Sequence, residues 1–340
     1  MPKPFIQTFF NNYIVASIIA IAAILLGISI GSQSIPFSSI WGTLIHTPTV
    51  PATDSQIIVS IRLPRVVLAF LIGAALAIAG VAFQGLLKNV LADPYTIGVS
   101  SGAAVGAVIV FFFHLYLPFL GRFTLPIVSV IFALITLLFV LLFARLAEPN
   151  MAMETIVLIG IMMNAFFGSL ISLMVALSGE ELRQVIGWLM GSVAMRGWSY
   201  VSLFFPFFVI GSIGLFVHTR ELNAFSFGEQ AAASIGVHVL QRKLFILLSA
   251  SLLTGAAVAV SGTIGFVGLV IPHMTRLICG ANHKRLLPLS FLYGGTFLVL
   301  ADLVARTIVA PRELPIGVIT SFIGAPLFAI LLFKSLRRKT

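Results

Sequence analysis

Long apolar segments dominate this chain of 340 residues and leave few folds open to it. A helix needs about 20 apolar residues to cross the hydrocarbon core of a bilayer. Segments close to this length lie at residues 12–32, 65–87, 96–114, 124–145, 154–177, 198–218, 244–261, 264–279, 288–305 and 315–334. Hydrophobic residues make up 59% of the chain and charged residues only 9%, which is not the composition of a soluble domain. The sequence therefore predicts an all-α, polytopic membrane protein with about ten transmembrane helices, folded as one domain over residues 1–340.

The stretch from residue 62 to residue 106 indicates what kind of membrane protein this is. A glycine- and alanine-rich helix is followed by a polar break at residues 89–94, and then by a helix with Gly98, Gly102 and Gly106 on one face. Small residues at this spacing let helix backbones approach closely in a bilayer. Irregular backbone at membrane depth is stable only where it is buried in protein or lines a cavity. The pattern favours a pore or a carrier over a simple anchor.

The distribution of basic residues predicts the orientation. If the N-terminus is cytoplasmic, all the lysines fall in cytoplasmic loops or tails, as the positive-inside bias requires. Ten spans then place both termini in the cytoplasm. The net charge of +10 is scattered over the loops and matches no nucleic-acid-binding motif, so anionic lipid rather than nucleic acid is its expected partner.

The sequence lacks the groups that a self-sufficient pump or an enzyme would need. There is no G-x-x-x-x-G-K-[ST] phosphate-binding loop, and the single cysteine and dispersed histidines predict no metal site. The acidic candidates Asp93, Glu154 and Asp302 lie toward the ends of predicted helices, whereas ion-coupled carriers keep such groups near the midplane. An energy source outside the chain is therefore expected. A proton-coupled secondary carrier is the alternative from another class, and a membrane-embedded enzyme would need a catalytic cluster that the sequence does not show.

Two similar octapeptides suggest a weak inverted repeat. Residues 73–80 read GAALAIAG and residues 255–262 read GAAVAVSG. The predicted topology runs the first inward and the second outward, as in transporters built from inverted repeats. Coincidence between two small-residue helices explains so short a match equally well.

Motifs from residue 60 to the C-terminus identify a family resemblance. The block 62–106, the run SGTIGFVGLVIPH at 261–273, and ADLVARTIVAPRELPIGVITSFIGAPLF at 301–328 resemble the permease subunits of bacterial ABC importers for iron–siderophores, haem and cobalamin, the FecCD family. The resemblance implies a multi-pass permease in the bacterial inner or plasma membrane. It also implies a second permease subunit, identical or related, two ATPase subunits that use ATP and Mg, and an extracellular or periplasmic substrate-binding protein.

By the same resemblance this chain is a transport subunit that is not itself an enzyme and binds no cofactor. An iron–siderophore complex is the expected cargo, with cobalamin or haem as the alternative.

The resemblance assigns three arginines to the outer rim. Arg62, Arg65 and Arg306 match family arginines that bind acidic residues of the substrate-binding protein, and a guanidinium group suits bidentate contact with carboxylates. The alternative is that they only anchor helix ends at the membrane interface.

The predicted cytoplasmic loop at about residues 220–243 is the candidate coupling segment. Ser226 and Glu229 fit a capping box for a short helix at residues 230–235, and Gly236 would end that helix at a position that tolerates a positive φ. The family uses this segment, bracketed here by Gly228 and Gly236, to contact the ATPase. An amphipathic surface helix is the alternative.

The inner gate is the third assignment. Asn89 and Leu91 occupy the loop that narrows the pathway in the family, and Met153 and Glu154 occupy the loop before the fifth helix. Some relatives have small hydroxyl residues in this loop before the fifth helix, so Met153 and Glu154 depart from the family pattern. A methionine there would close the path by packing, whereas Glu154 also fits an acid favoured by a helix N-terminus.

Overall fold

The computed structural model describes residues 5–31, 35–45, 47 and 50–337, and this part of the chain folds into α-helices joined by short connections. The helices are α1 (Phe5–Ser29), α2 (Phe37–Leu44), α3 (Ala52–Ile57), α4 (Leu63–Leu86), α5 (Val99–Phe112), α6 (Thr124–Ala147), α7 (Met153–Leu177), α8 (Leu182–Leu189), α9 (Gly197–Val217), α10 (Thr219–Phe225), α11 (Glu229–Ser234), α12 (Val239–Ser261), α13 (Val267–Cys279), α14 (His283–Thr307) and α15 (Ile316–Arg337). One π-helical turn, Ile58–Arg62, joins α3 to α4. The all-α prediction is confirmed.

The ten predicted apolar segments correspond in order to α1, α4, α5, α6, α7, α9, α12, α13, α14 and α15. Seven of these, within the described residues, are long and apolar enough to cross a membrane; α5, α13 and the apolar part of α15 are shorter. At 1.5 Å per residue, α5 and α13 reach only about 20 Å, less than the roughly 30 Å of hydrocarbon. Residues 87–98, which include a short 3₁₀ turn, precede α5, and residues 262–266 precede α13.

Two helices begin about one turn earlier than predicted. Helix α12 begins at Val239 and α14 at His283. Their first turns are polar, so these turns do not belong to the apolar segments from which the helices were predicted. The short helices α2, α3, α8 and α10 were not predicted, since each is shorter than a membrane span. Helix α8 is amphipathic and turns Val185 and Trp188 into the core.

Helix α4 lies at the centre of the bundle and packs antiparallel to α14. Arg65 contacts Asp302 near one end of the pair, Gly73 faces Gly294 in the middle, and Gly85 faces His283 at the other end. A Cβ atom on Gly73 would lie 2.2 Å from the carbonyl oxygen of Gly294, so the two backbones touch. A Cβ atom on Gly80 would lie 1.9 Å from the carbonyl oxygen of Gly268 in α13. Glycine is required at these positions because no side chain fits between the helices.

Helices α5 and α6 pack through the predicted glycine face, with one correction. Gly102 lies against Thr136, and Gly106 lies against Ser129 and Phe132. Gly98 was predicted on the same helical face but precedes α5 as its N-cap, with φ +86° in the left-handed region. It ends a 3₁₀ turn that begins at Pro94, and glycine adopts this backbone conformation without steric cost.

The two octapeptides of the suggested repeat lie in equivalent structural units. Each unit is a long buried helix, a break and a short helix followed by a long one: α4–α5–α6 and α12–α13–α14. The units exchange partners, because α5 and α6 pack on α12 while α13 and α14 pack on α4. Gly73, the first residue of one octapeptide, meets α14, and Gly255, its counterpart, meets Ala133 of α6. This reciprocal packing favours a true repeat over a coincidence.

Replacing Gly73 by alanine should destabilise the protein because the new methyl group would collide with backbone of α14. We expect the free energy of unfolding to fall by about 1–3 kcal/mol, the usual cost of overpacking a core. Gly168→Ala in α7 is the matched control, since no atom lies within 4 Å of its Cβ position and alanine favours a helix. The thermal unfolding midpoint in one detergent measures both. Equal midpoints for the two variants would show that this helix contact does not limit stability.

Candidate functional site

Three loops at one end of the bundle enclose a pocket of about 550 Å³, here called the loop pocket. They are the loop after α4, the loop before α7 and the loop before α11. The lining residues are Leu86, Leu87, Lys88, Glu148, Asn150, Ala152, Met153, Glu154, Phe227, Gly228, Glu229, Gln230 and Ala231. The structure thus brings two predicted gate residues, Met153 and Glu154, together with the predicted coupling residues Gly228 and Glu229.

The predicted gate residues occupy different environments. Met153 is buried in the core, and Glu154 is exposed in the first turn of α7, where the helix dipole favours an acid. Asn89 and Leu91 do not line the loop pocket. The Asn89 side-chain oxygen accepts a hydrogen bond from the Leu91 backbone N–H at 2.9 Å, which fixes the turn after α4.

The capping box predicted for the coupling segment is wrong. Ser226 ends α10, and its hydroxyl donates to the Leu222 carbonyl oxygen instead of accepting from the next helix. Gly228 is the N-cap of α11, with φ +112°, and Glu229 turns its carboxylate to the ammonium group of Lys243 at 2.9 Å. A carboxylate gains more from an ammonium partner than from a backbone N–H, which explains the difference.

The helix of the coupling segment itself is present. Helix α11 covers Glu229–Ser234, one residue earlier than predicted. Gly236 follows it with φ +87°, in the left-handed conformation that its position was expected to require.

Lys243 is a functional candidate that the sequence analysis treated only as a cytoplasmic charge. It lies in the second turn of α12 with its side chain fully buried. Its ammonium group donates to the Met151 carbonyl oxygen at 2.7 Å, to Glu229, and to the Asn150 carbonyl oxygen at 3.4 Å. The signal in the sequence was a lysine directly before the apolar segment 244–261, 14 residues after the glutamate of the predicted coupling segment.

The opposite end of the bundle carries a cluster of charged residues, here called the arginine cluster: Arg62, Arg65, Asp302, Arg306 and Glu313. Asp302 is buried and accepts from Arg65 at 2.9 Å, with Arg306 3.8 Å away. Glu313, which is exposed, contacts the other side of the Arg65 guanidinium group at 2.8 Å. This arrangement neutralises the buried carboxylate within the chain.

Two of the arginines that were predicted to dock a partner instead cap the C-terminal end of α1. Arg62 donates to the carbonyl oxygens of Ile28 and Ser29 at 2.7 and 2.6 Å, and Arg306 donates to that of Gly27. The last carbonyl groups of a helix have no partner within it, and cations there are favoured by the helix dipole. Arg62 is 4% exposed and Arg306 7% exposed, so docking through them would require these contacts to break.

The two helix breaks meet inside the protein at one tyrosine. The Tyr95 hydroxyl donates to the Ile264 carbonyl oxygen at 2.8 Å and accepts from the Ile264 N–H at 3.1 Å. Asn164 of α7 donates its amide to the Tyr95 carbonyl oxygen at 3.0 Å, and Ser101 donates to Asn164 at 2.6 Å. We call residues 93–98 and 262–266, together with these contacts, the break junction.

An open pocket of about 530 Å³ lies beside the break junction. Its lining is mostly apolar, with the Tyr95 ring, Met190, Val318 and Phe322 next to the hydroxyl groups of Thr263 and Ser321. Such a surface supplies few directional contacts for a ligand. Among the residues that the structure describes, no three His, Cys, Asp or Glu side chains lie close enough to bind one metal ion.

The chain resembles known transport proteins over nearly its whole length. Residues 19–334 match the model of the FecCD transport family. The uncharacterized ABC transporter permease protein YvrB of Bacillus subtilis is 55% identical over 96% of this chain and 94% of its own length. The cobalamin import system permease protein BtuC of Halobacterium salinarum is 42% identical over 83% of this chain and 75% of its own length.

One solved structure also resembles this one closely. It is an inward-facing conformation of a protein proposed to be an ABC transporter of the metal-chelate type. It superimposes with a TM-score of 0.84 at 35% identity, covering 94% of this chain and 98% of that one.

Replacing Tyr95 by phenylalanine should weaken the break junction, because the N–H and C=O of Ile264 both lose their partner. An unsatisfied buried polar group costs about 1–3 kcal/mol, so we expect a lower unfolding midpoint and faster amide hydrogen exchange in the segment around Ile264. Tyr116→Phe is the matched control, since that side chain is 65% exposed. Exchange measured by mass spectrometry that is as slow in the Tyr95 variant as in the control would refute this role.

Proposed function

We propose that this chain, an ABC transporter permease that belongs to the FecCD transport family, moves a metal chelate across the membrane for an ATP-driven importer. The family match over residues 19–334, together with the closely similar fold of the metal-chelate type transporter, carries this proposal. Within the importer the chain supplies the path. A second permease subunit, two ATPase subunits and a substrate-binding protein supply the other parts.

An iron–siderophore complex is the cargo that we propose first, with cobalamin or haem as the alternative. The mostly apolar pocket beside the break junction supports a large cargo that is carried with few specific contacts. Selectivity then resides mainly in the substrate-binding protein, and the permease needs only a path of sufficient width. The relative named for cobalamin import keeps that cargo open.

A proton-coupled carrier is disfavoured by how the buried carboxylate is used. A proton-coupling group must gain and lose its charge during the cycle. Asp302 instead lies 2.9 Å from Arg65 and 3.8 Å from Arg306, so its carboxylate is already engaged as the partner of arginines within the chain. Energy from attached ATPase subunits remains the better account.

We place the loop pocket on the cytoplasmic side and the arginine cluster on the outer side. This follows from the predicted orientation, in which both termini are cytoplasmic. Helix α11 then faces the cytoplasm and is our candidate for contact with the ATPase, and Met153, beside the loop pocket, is our candidate gate residue. Asn89, Leu91 and Glu154 remain gate candidates by family resemblance.

Reconstitution tests the transport function directly. The chain is purified with its ATPase and substrate-binding partners and placed in liposomes with ferric hydroxamate siderophore, haem or cobalamin outside. We expect accumulation of one cargo that requires ATP and all three components. Accumulation by the chain alone under a pH gradient would instead establish a secondary carrier, and uptake of cobalamin or haem but not siderophore would reassign the cargo.

On the outer side, Arg65 is our candidate for contact with the substrate-binding protein. It is the predicted docking arginine whose internal partner, Glu313, is exposed, so a carboxylate of the binding protein has access to the same guanidinium group. The nearby Arg312 is also exposed. Arg62 and Arg306 would support the rim from within by holding the end of α1.

Glu313→Gln should therefore tighten capture of the loaded binding protein, because it removes the competing carboxylate from Arg65. We expect affinity to rise several-fold at low salt, with the gain shrinking at 0.5 M salt as screening increases. Glu181→Gln is the matched control: it removes the same charge from a carboxylate that contacts His114 instead. Weaker or unchanged capture by the Glu313 variant, measured by surface plasmon resonance, would rule out Arg65 as a docking residue.

A further inference from the structure

Lys243 connects three separate parts of the chain through one ammonium group. The lysine belongs to α12, Glu229 begins α11, and Met151 lies in the loop that leads into α7. An ammonium group has three N–H donors and no acceptor. All three find oxygen acceptors here: one carboxylate and two backbone carbonyls. We call this set of contacts the Lys243 link.

The link lies directly beside the candidate gate. Met151 has φ +49°, an uncommon conformation for a residue other than glycine, and it accepts the shortest of the three hydrogen bonds. Helix α7 begins two residues later at Met153. Any displacement of the Met151 carbonyl group is therefore delivered to the first turn of α7.

Other contacts between α11 and the rest of the chain are sparse, which makes the Lys243 link important. Helix α11 has only six residues, and Ala232 is the one that is buried. Gly228 and Gly236, on either side of it, both have positive φ angles. The ion pair between the buried Lys243 and the partly exposed Glu229 thus attaches a short helix that is otherwise flanked by glycines.

A neighbouring ion pair joins α12 to α10 without reaching the loop before α7. Arg242, the residue before Lys243, lies 3.7 Å from Glu221 of α10. That pair also joins α12 to the cytoplasmic segment, but it does not reach the loop before α7. It provides an internal comparison for the link.

We propose that Lys243 is a positioning residue that transmits movement of α11 to the start of α7 and so couples the ATPase to the gate. The inference rests on the proposed function and names the contact through which the ATPase acts. When an ATPase subunit displaces α11, Glu229 moves with it. Because Lys243 holds Glu229 and the Met151 carbonyl group together, the loop before α7 follows, and Met153 moves with that loop.

The test compares variants of the link in the reconstituted importer. Glu229→Ala and Lys243→Met should raise the number of ATP molecules hydrolysed per cargo molecule at least about fivefold, the lower end of typical coupling between sites. Copurification of the ATPase should be unchanged. Lys243→Arg should retain coupling, since a guanidinium group can donate to the same acceptors. Glu221→Ala is the matched control and should keep the wild-type ratio.

A second measurement follows the gate itself. In a Cys279→Ser background, Glu154→Cys places a reporter thiol on the exposed first turn of α7. Its rate of modification should change on addition of ATP and vanadate, and Glu229→Ala should abolish that change while Glu221→Ala preserves it. This readout separates loss of transmission from a general loss of activity.

The outcomes distinguish the two proposals. If the wild-type complex shows no ATP-dependent uptake, the proposed function fails and this inference fails with it. If the wild type is coupled and Glu229→Ala keeps both the wild-type ratio and the nucleotide-dependent change in modification, only the inference is overturned. Should Lys243→Met not fold, Glu229→Ala decides, because the Glu229 side chain is 39% exposed and Lys243 keeps the carbonyl oxygens of Met151 and Asn150 as acceptors in that variant.

Discussion

Backbone contact along α4 is the interaction on which the rest of the fold depends. In a bilayer, apolar helices gain little from burying apolar side chains against each other, so their association rests on close packing and hydrogen bonds. Gly73 brings α4 against α14, and Gly80 brings it against the start of α13. Two neighbours are therefore fixed by two glycines seven residues apart on one helix. Gly255 makes the corresponding close approach of α12 to α6, against the Cβ atom of Ala133 rather than against backbone.

This exchange of partners explains why the fold tolerates two interrupted helices. A break in a membrane helix exposes N–H and C=O groups that lipid cannot satisfy. Here the two breaks contact each other, and Tyr95 of one supplies both hydrogen bonds that Ile264 of the other lacks. The first break also packs on α7, and the second also contacts the end of α8. Helices α5 and α13 can therefore be short, because the segments of the break junction stand before them in place of further helical turns. It also places irregular backbone next to the open pocket lined by Tyr95 and Thr263.

The sequence was sufficient for what depends on local composition. Apolar length predicted all ten apolar helices, and glycine spacing predicted a close-packing face at Gly102 and Gly106, which lies against α6. It failed where the partner of a residue lies far away in the chain. Ser226 and Glu229 satisfy the local pattern of a capping box, but a lysine on the next long helix competes successfully for the carboxylate. Arg62 and Arg306 stand at helix ends as rim residues should, yet nothing local indicates that the end of α1 lies beside them. Family resemblance placed Met153 and Glu229 in separate roles, and only the fold shows that they line one pocket.

The two ends of the bundle use charge in different ways, and the difference bears on mechanism. In the arginine cluster the contacts of Arg62 and Arg306 run to carbonyl groups of α1, and Asp302 pairs with Arg65, so the buried charges hold long helices to one another. A buried charge that loses its partner is strongly destabilising, which makes such a cluster rigid. At the other end, Lys243 donates its hydrogen bonds to Glu229 of the six-residue helix α11 and to Met151 of the loop before α7. The same physical penalty favours keeping this helix and this loop together, because separating them would remove acceptors from a buried ammonium group. A firmly held end at the arginine cluster and a linked helix and loop at the other end are consistent with the proposed importer, in which the ATPase acts at the end that carries α11.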